Sequence, residues 1–418
     1  MFDFNNYNKG TKYLQAGNFE KAVQFLNREI KLNEFKECYL NLGNAYKAIG
    51  SWDKAKKCYE KAFSDEIPFA NGSFAFYDLA ASNLGLWYYA NSDDDRAIAY
   101  YSMALTKNSQ LMDAIWNYAS AILRKFSSGE EVDIESAWKM YEFRFRRGNP
   151  VPIDRSVDLW DGITKHNKIV VLAEQGFGDK IMFGRYIHCL EEYCNQVVVQ
   201  CPPHLDCIFD KWEVCRVASA SGATAAIPIC SLAGRFGMVD AEWLAGKFKA
   251  REYSGMWELN VGVEWSGSVT HNNNRNRSIG VNRFIDLAAA FPGVNFYSFG
   301  SKDYRGIKAL GTNGGKAEGA TWVATAEAIA GLDVLITVDT SVAHMAGSMG
   351  KEVWLLQPSI ETDFRWGNDS IGEGNIWYPS IKVIRNPGDW DKVFKIVADK
   401  LVAKKADIIE LRRGYFNV

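Results

Sequence analysis

A glycine, tyrosine and alanine pattern that recurs along the first third constrains this chain most. Gly10, Gly43 and Gly85 can be laid over one another, and three residues on stand Tyr13, Tyr46 and Tyr88. Nine residues beyond those come Ala22, Ala55 and Ala97, and four more reach Leu26, Tyr59 and Tyr101. Small residues let two helices approach closely, and large ones fill the groove between them. Turn signals at Ala16-Gly17-Asn18 and Ile49-Gly50-Ser51 separate the helices. The pattern predicts stacked helical hairpins, clearest over residues 39–46. A degenerate fourth copy is expected from 114–119 to 137–141, and an insertion around 68–72.

After Pro150 and Pro152 the pattern changes. Residues 168–173 read as a buried strand that runs into Glu174-Gln175-Gly176-Phe177-Gly178-Asp179 and then a helix from 180 to about 193. Strands are expected at 196–200 and 213–219. A second series opens at 260–265, with strands at 294–299, 333–338, 352–356 and 382–385 and helices at 282–290 and 341–349. Alternating strands and helices imply parallel sheets, with ligand loops at the carboxyl ends of the strands. Residues 252–258 read as a hinge, and a last helix at about 389–412 as packing back toward the first series. The expected fold class is α + α/β: a helical solenoid over 1–148, then Rossmann-like units over 149–256 and 257–418.

Composition narrows the function. With 418 residues and a net charge of -2, the whole molecule is no electrostatic trap for nucleic acid or membrane. Arg144, Arg146 and Arg147 form one local basic run. No apolar stretch is long enough to span a bilayer, and the first residues do not resemble a signal peptide. The 8 cysteines form no CxxC pair, and His204 with Cys207 lacks a second ligand pair at zinc spacing. Reduced cysteines in a cytoplasmic protein are expected. Asp93-Asp94-Asp95 imitates a metal-holding DxD motif, but it precedes a helix, where acids cap the N-terminus.

Three loops carry candidate chemistry. Gly176-Phe177-Gly178 fails as a dinucleotide fingerprint: Ile181 replaces its third glycine, and the next strand ends in Gln200 rather than an acid. Beside Gln175, Gly176 and Gly178 the loop offers Asp179, either as a general base toward an acceptor hydroxyl or as a helix cap. In the second series, Asp339, Thr340, Ser341 and His344 open a helix after a strand, and a helix N-terminus with hydroxyl neighbours binds phosphate. The third loop, from Trp265 and Ser266 to Arg275 and Arg277, brings arginines that could neutralise a diphosphate. Asn272-Asn273-Asn274 within it reads as a mobile flap.

The ordered strings sharpen this. The N-terminal pattern resembles tetratricopeptide repeats (TPR). Ala173-Glu174-Gln175-Gly176-Phe177-Gly178-Asp179, Gly262-Val263-Glu264-Trp265-Ser266-Gly267, Arg275-Asn276-Arg277-Ser278-Ile279 and Val338-Asp339-Thr340-Ser341-Val342-Ala343-His344 occur in order. So do Ile229-Cys230-Ser231-Leu232, Phe364-Arg365-Trp366 and Trp377-Tyr378-Pro379-Ser380. Together they resemble bacterial TPR proteins whose C-terminal domain is similar to the heptosyltransferases of glycosyltransferase family nine. TPR-bearing O-linked N-acetylglucosamine transferases are similar in architecture.

The resemblance implies a TPR α-solenoid followed by a GT-B fold of two Rossmann-like units. It implies a nucleotide-sugar donor held by the C-terminal unit, and inverting transfer with neither metal nor cofactor. It maps the catalytic aspartate to Asp179 and donor binding to Asp339, Thr340, Ser341 and His344, with Arg365 and Trp366 in a further matched string. Where heptosyltransferases carry a lysine in the first donor loop, this chain has Arg275 and Arg277, so a donor other than ADP-heptose is expected. The acceptor could be a glycan, a protein or a hydroxymethylated DNA base, and the repeats could bind a protein partner. The competing reading is a non-catalytic TPR scaffold with a decayed transferase domain.

Overall fold

The computed structural model describes residues 4–69, 77–146, 157–217, 222–253, 258–268, 273–312, 322–368 and 374–416, the last with side chains to 407. Backbone contacts divide the chain into two compact units: residues 1–126 with 131–149, and residues 127–130 with 150–418.

The first unit is helical. Its helices are α1 (Asn5–Gln15), α2 (Phe19–Leu32), α3 (Lys36–Ala48), α4 (Trp52–Phe63), α5 (Tyr77–Ala90), α6 (Asp94–Lys107), α7 (Met112–Ser127) and α8 (Ile134–Tyr141). The glycine pattern sets how they pair. A Cβ added to Gly10 would lie 2.7 Å from Leu26, one at Gly43 2.5 Å from Tyr59, and one at Gly85 2.7 Å from Tyr101. Each hairpin therefore closes by setting a large side chain on a bare backbone. Ala22, Ala55 and Ala97 are fully buried at the same interfaces. α7 and α8 follow as the fourth, degenerate pair, with the rings of Trp116 and Tyr141 stacked 6.3 Å apart. Of the insertion expected around 68–72, residues 70–72 lie outside the described residues.

The acidic triplet is structural. Asp93 caps α6 by accepting the Arg96 N–H at 3.1 Å. Asp94 is buried against the Arg124 guanidinium, and Asp95 pairs with Lys125. Within the basic run, Arg144 is buried, pairs with Glu142 at 2.7 Å and lies 3.9 Å from the Phe145 ring centre, and Arg146 is exposed. Arg147 is outside the described residues.

The second unit begins with β1 (Asp158–Leu159), β2 (His166–Leu172), α9 (Phe177–Phe183), β3 (Cys194–Gln200), β4 (Glu213–Cys215), β5 (Ala225–Pro228) and α10 (Ala233–Phe236). These strands make one parallel sheet in the order β1-β5-β2-β3-β4. The helix expected from 180 to 193 is not one α-helix. It starts at Phe177 and gives way at Gly184 to 3-10 winding through Glu192. Arg185 Nε takes the Met182 carbonyl at 2.8 Å, an acceptor that a continuing α-helix would need for the Tyr186 N–H.

The chain continues through β6 (Leu259–Glu264), α11 (Asn274–Arg277), α12 (Val281–Ala290), β7 (Val294–Ser298), β8 (Ile307–Ala309), α13 (Trp322–Gly331) and β9 (Val334–Val338). It ends with α14 (Ser341–Ser348), β10 (Val353–Gln357), β11 (Gly374–Asn375), β12 (Tyr378–Arg385) and α15 (Trp390–Phe416). The second sheet runs β11-β12-β10-β9-β6-β7-β8, parallel except for β11. Continuous apolar runs such as Val334–Val338, buried throughout, suit strands covered on both faces. In the last helix, Val393, Val397 and Leu401 join the core of the second sheet with Phe284 and Trp354; the side chains from 408 on lie outside the described residues. The hinge lies partly outside the described residues, at 254–257. Among the described residues no helix is long and apolar enough to cross a membrane, and the cysteines are all free.

Candidate active site

Strand order places the candidate loops. In the first sheet β2 is followed on one side by β3 and on the other by β5, so the crevice at its carboxyl end opens there. Out of it comes the loop 173–176. In the second sheet the same reversal falls between β6 and β9. From their carboxyl ends come the loop 265–273 and the start of α14.

The first loop is rigidly built. Gln175 has a φ of 56°, a left-handed conformation that costs a residue with a Cβ about 1–2 kcal/mol. The buried Lys180 holds it, donating to the carbonyls of Glu174 at 3.2 Å, Gln175 at 2.7 Å and Gly176 at 3.2 Å. Burial pushes the Lys180 ammonium below its ordinary pKa. Glu174 accepts the Cys230 N–H at 3.1 Å, joining this loop to the one after β5. Asp179, in the first turn of α9, accepts the Gly176 N–H at 2.9 Å, so it does cap its helix. Its other carboxylate oxygen accepts from Arg365 Nη2.

The facing wall comes from the second sheet. No side chain caps α14; the Thr340 hydroxyl instead meets Thr337 Oγ1 at 3.2 Å. Arg277 is buried beside Gly267, where a Cβ would strike its guanidinium. Its Nη1 donates to the Asp339 carbonyl at 2.8 Å and lies 3.6 Å from the Asp339 carboxylate. Arg365 forks onto Asp363, with Nη1 at 2.8 and 2.9 Å from the two oxygens. Burial, then the Asp363 charge, push the Asp339 carboxyl above its ordinary pKa against the pull of Arg277. Burial opposes ionisation of Asp363 as well, but the Arg365 guanidinium outweighs it and holds that carboxyl below its usual range.

His344 is wedged in the wall. Its Nδ1 lies 3.1 Å from the Tyr378 hydroxyl, and its ring sits 4.8 Å from that of Trp366. Burial, then the Arg365 charge, lower its pKa to about 3, so the imidazole is neutral at pH 7 and brings no charge to a phosphate. Gly178 touches it from the opposite wall: a Cβ there would lie 2.6 Å from His344 Cδ2.

These residues enclose one cleft of about 400 Å³, lined by Gly176, Phe177, Gly178, Asp179, Gly267, Ser268, Arg277, Asp339, Thr340, Ser341, His344, Asp363 and Arg365. Of the residues expected from sequence, Gln175, Trp265, Ser266, Arg275 and Trp366 do not line it. Trp265 continues the inward face of Val261 and Val263 and packs on Phe284 and Tyr304. Arg275 is exposed because two helical residues are about 200° from Arg277. Trp366 lies behind His344. The expected flap is anchored: Asn273 Nδ2 donates to the Glu361 carbonyl at 2.6 Å, and Asn276 Nδ2 to its carboxylate at 2.6 Å. Asn272 is outside the described residues. Sequence reading missed Asp363, although an acid two residues before Arg365 was a readable signal.

The Tetratricopeptide repeat family profile matches residues 36–64, the α3–α4 hairpin. Over 61 residues the chain is 30% identical to an uncharacterized protein of Methanocaldococcus jannaschii, covering 14% of this chain and 71% of that one. The chain belongs to that protein's family. Its first unit is a tetratricopeptide-repeat array. Among solved structures, a glycosyl transferase family 9 protein from Veillonella parvula aligns over 59% of this chain and 97% of its own, at 10% identity and a TM-score of 0.38. A mutant O-GlcNAc transferase from Thermobaculum terrenum aligns over 98% and 94%, at 11% identity and a TM-score of 0.34.

Proposed function

We propose that this TPR protein is an inverting, metal-independent glycosyltransferase that moves a sugar from a nucleotide-sugar donor to a hydroxyl acceptor. One observation carries the reading: Asp179, from the first sheet, shares a single cleft with the uncapped opening of α14, Arg277 and Arg365, from the second. A carboxylate on one side and a phosphate-binding helix end with two guanidiniums on the other fit the two halves of the reaction. Residues 149–256 then form the acceptor unit and 257–418 the donor unit.

In this mechanism Asp179 takes the proton of the acceptor hydroxyl. The hydroxyl oxygen bonds to the anomeric carbon as the bond to the diphosphate breaks, its electron pair leaving with the diphosphate. Thr340, Ser341, Arg277 and Arg365 stabilise that departing charge. Neutral His344 serves as packing and as a hydrogen-bonding edge. The acceptor class is a glycan, a protein or a modified base, and the repeats bind a protein partner or position the acceptor. The free cysteines fit a reducing, cytoplasmic setting.

The test is Asp179→Asn. Asparagine retains a side-chain oxygen that accepts the Gly176 N–H but is not a base, so the variant keeps that contact and removes basicity. After a thermal-shift screen has found a donor, single-turnover transfer should fall at least about a hundredfold, the usual contribution of a general base. Near-normal transfer would show that Asp179 is not the general base.

A further inference from the structure

Arg365 carries one charge that both walls of the cleft use. Its Nη1 is committed to Asp363 by a two-pronged contact, while Nη2 reaches across to Asp179. The guanidinium is buried and lies 4.4 Å from the centre of the Phe364 ring. Both oxygens of the Asp179 carboxylate are thus engaged, one by the guanidinium and one by the Gly176 N–H, so an approaching hydroxyl has to compete for them. A diphosphate in this cleft carries more charge than a carboxylate and competes for the same N–H groups.

Building on the nucleotide-sugar reading, we propose that Arg365 couples donor binding to activation of the base. The donor diphosphate draws Nη2 away from Asp179, and the freed carboxylate accepts the proton of the acceptor hydroxyl. The same guanidinium then faces the electron pair that leaves with the diphosphate. When the nucleoside diphosphate departs, Arg365 returns to Asp179, and the base is quiet until another donor is seated. Asp363 is the anchor that keeps the guanidinium at the cleft during both contacts.

Four versions of the full chain test this: wild type, Asp179→Asn, Arg365→Gln and the double variant. Each is titrated calorimetrically with UDP, ADP, GDP and CDP. Asp179→Asn releases Arg365 from its competitor, so the preferred nucleotide should bind about tenfold tighter than to wild type. In the Arg365→Gln background the same change should move affinity by less than about twofold. Equal tightening in both backgrounds means that Asp179 only repels the nucleotide through space, and it overturns the coupling while leaving the donor site standing. Failure of all four nucleotides to bind wild type overturns the donor reading and the coupling together. Arg365→Gln leaves Asp363 without its fork and can fail to fold. A crystal structure of wild type with bound nucleoside diphosphate then decides. Arg365 on phosphate oxygens and off Asp179 supports the proposal, and Arg365 still on Asp179 overturns it.

Discussion

The Gly178 backbone rests against the imidazole of His344, so closely that a Cβ at Gly178 would lie 2.6 Å from His344 Cδ2. The imidazole cannot retreat, because the Trp366 ring packs behind it, tilted by 32°, and Tyr378 meets its Nδ1. The first turn of α9, which follows β2, and α14, which follows β9, therefore meet at van der Waals distance, beside Asp179 and Ser341.

That contact makes Gly178→Ala a sensitive probe. The added methyl overpacks a closed site, which typically costs about 1–3 kcal/mol. Urea denaturation should show a loss in that range. Transfer should fall as well, because Asp179 is the next residue. An unchanged midpoint would mean that α9 and α14 separate easily at this point.

Ser341→Asp tests the donor wall. Ser341 opens α14 and lines the cleft. A carboxylate there is favourable to the helix but repels a diphosphate, and juxtaposed like charges cost several kcal/mol. Nucleoside-diphosphate affinity should drop at least about tenfold on that scale, with the melting temperature nearly unchanged. Undiminished affinity in the folded variant would remove α14 from the donor site.

Cation supply is the next prediction. Among the described residues no group of three or more His, Cys, Asp or Glu side chains could hold a metal ion, whereas Arg277 and Arg365 both line the cleft. Transfer should persist in excess EDTA. Loss of activity that magnesium or manganese restores would require a metal in the mechanism.

His344 sets a pH signature. Its folded pKa of about 3 lies below the ordinary 6.5, so between those values the unfolded chain binds a proton that the folded chain does not. Stability from this group is full above about pH 6.5 and is lost as the pH falls, by about 1.4 kcal/mol per pH unit at most. Stability-versus-pH curves of wild type and His344→Gln should therefore converge on acidification. Parallel curves from pH 7 to 4 would show that the imidazole is not buried as a neutral group.

Local rules made the elements legible in the sequence. Gly43 and Tyr59 announced a helical hairpin because a bare backbone and a ring at that spacing fit only one another. Asp93 announced a cap, and runs such as residues 334–338 announced buried strands. The candidate loops were legible too, since glycines and hydroxyl residues between a strand and a helix mark where a ligand can reach backbone N–H groups. Residues two apart were harder. Arg275 and Arg277 look equivalent in the string, but only the short turn of α11 decides which of them is buried.

The chain's own sequence thus determined the repeat, the strand and helix alternation and the strings that carry the candidate chemistry, all of them matters of neighbours and period. Only the tertiary structure decided that β2 borders β5 and that β6 borders β9, which is what opens both crevices. It alone brought Arg365 to Asp179, residues 186 positions apart. It also set Trp265 against the core, because a side chain's partner is set by the sheet face it continues and not by the loop it begins. Periodicity fixes what a segment is; burial and charge pairing across distant segments fix what its side chains can do.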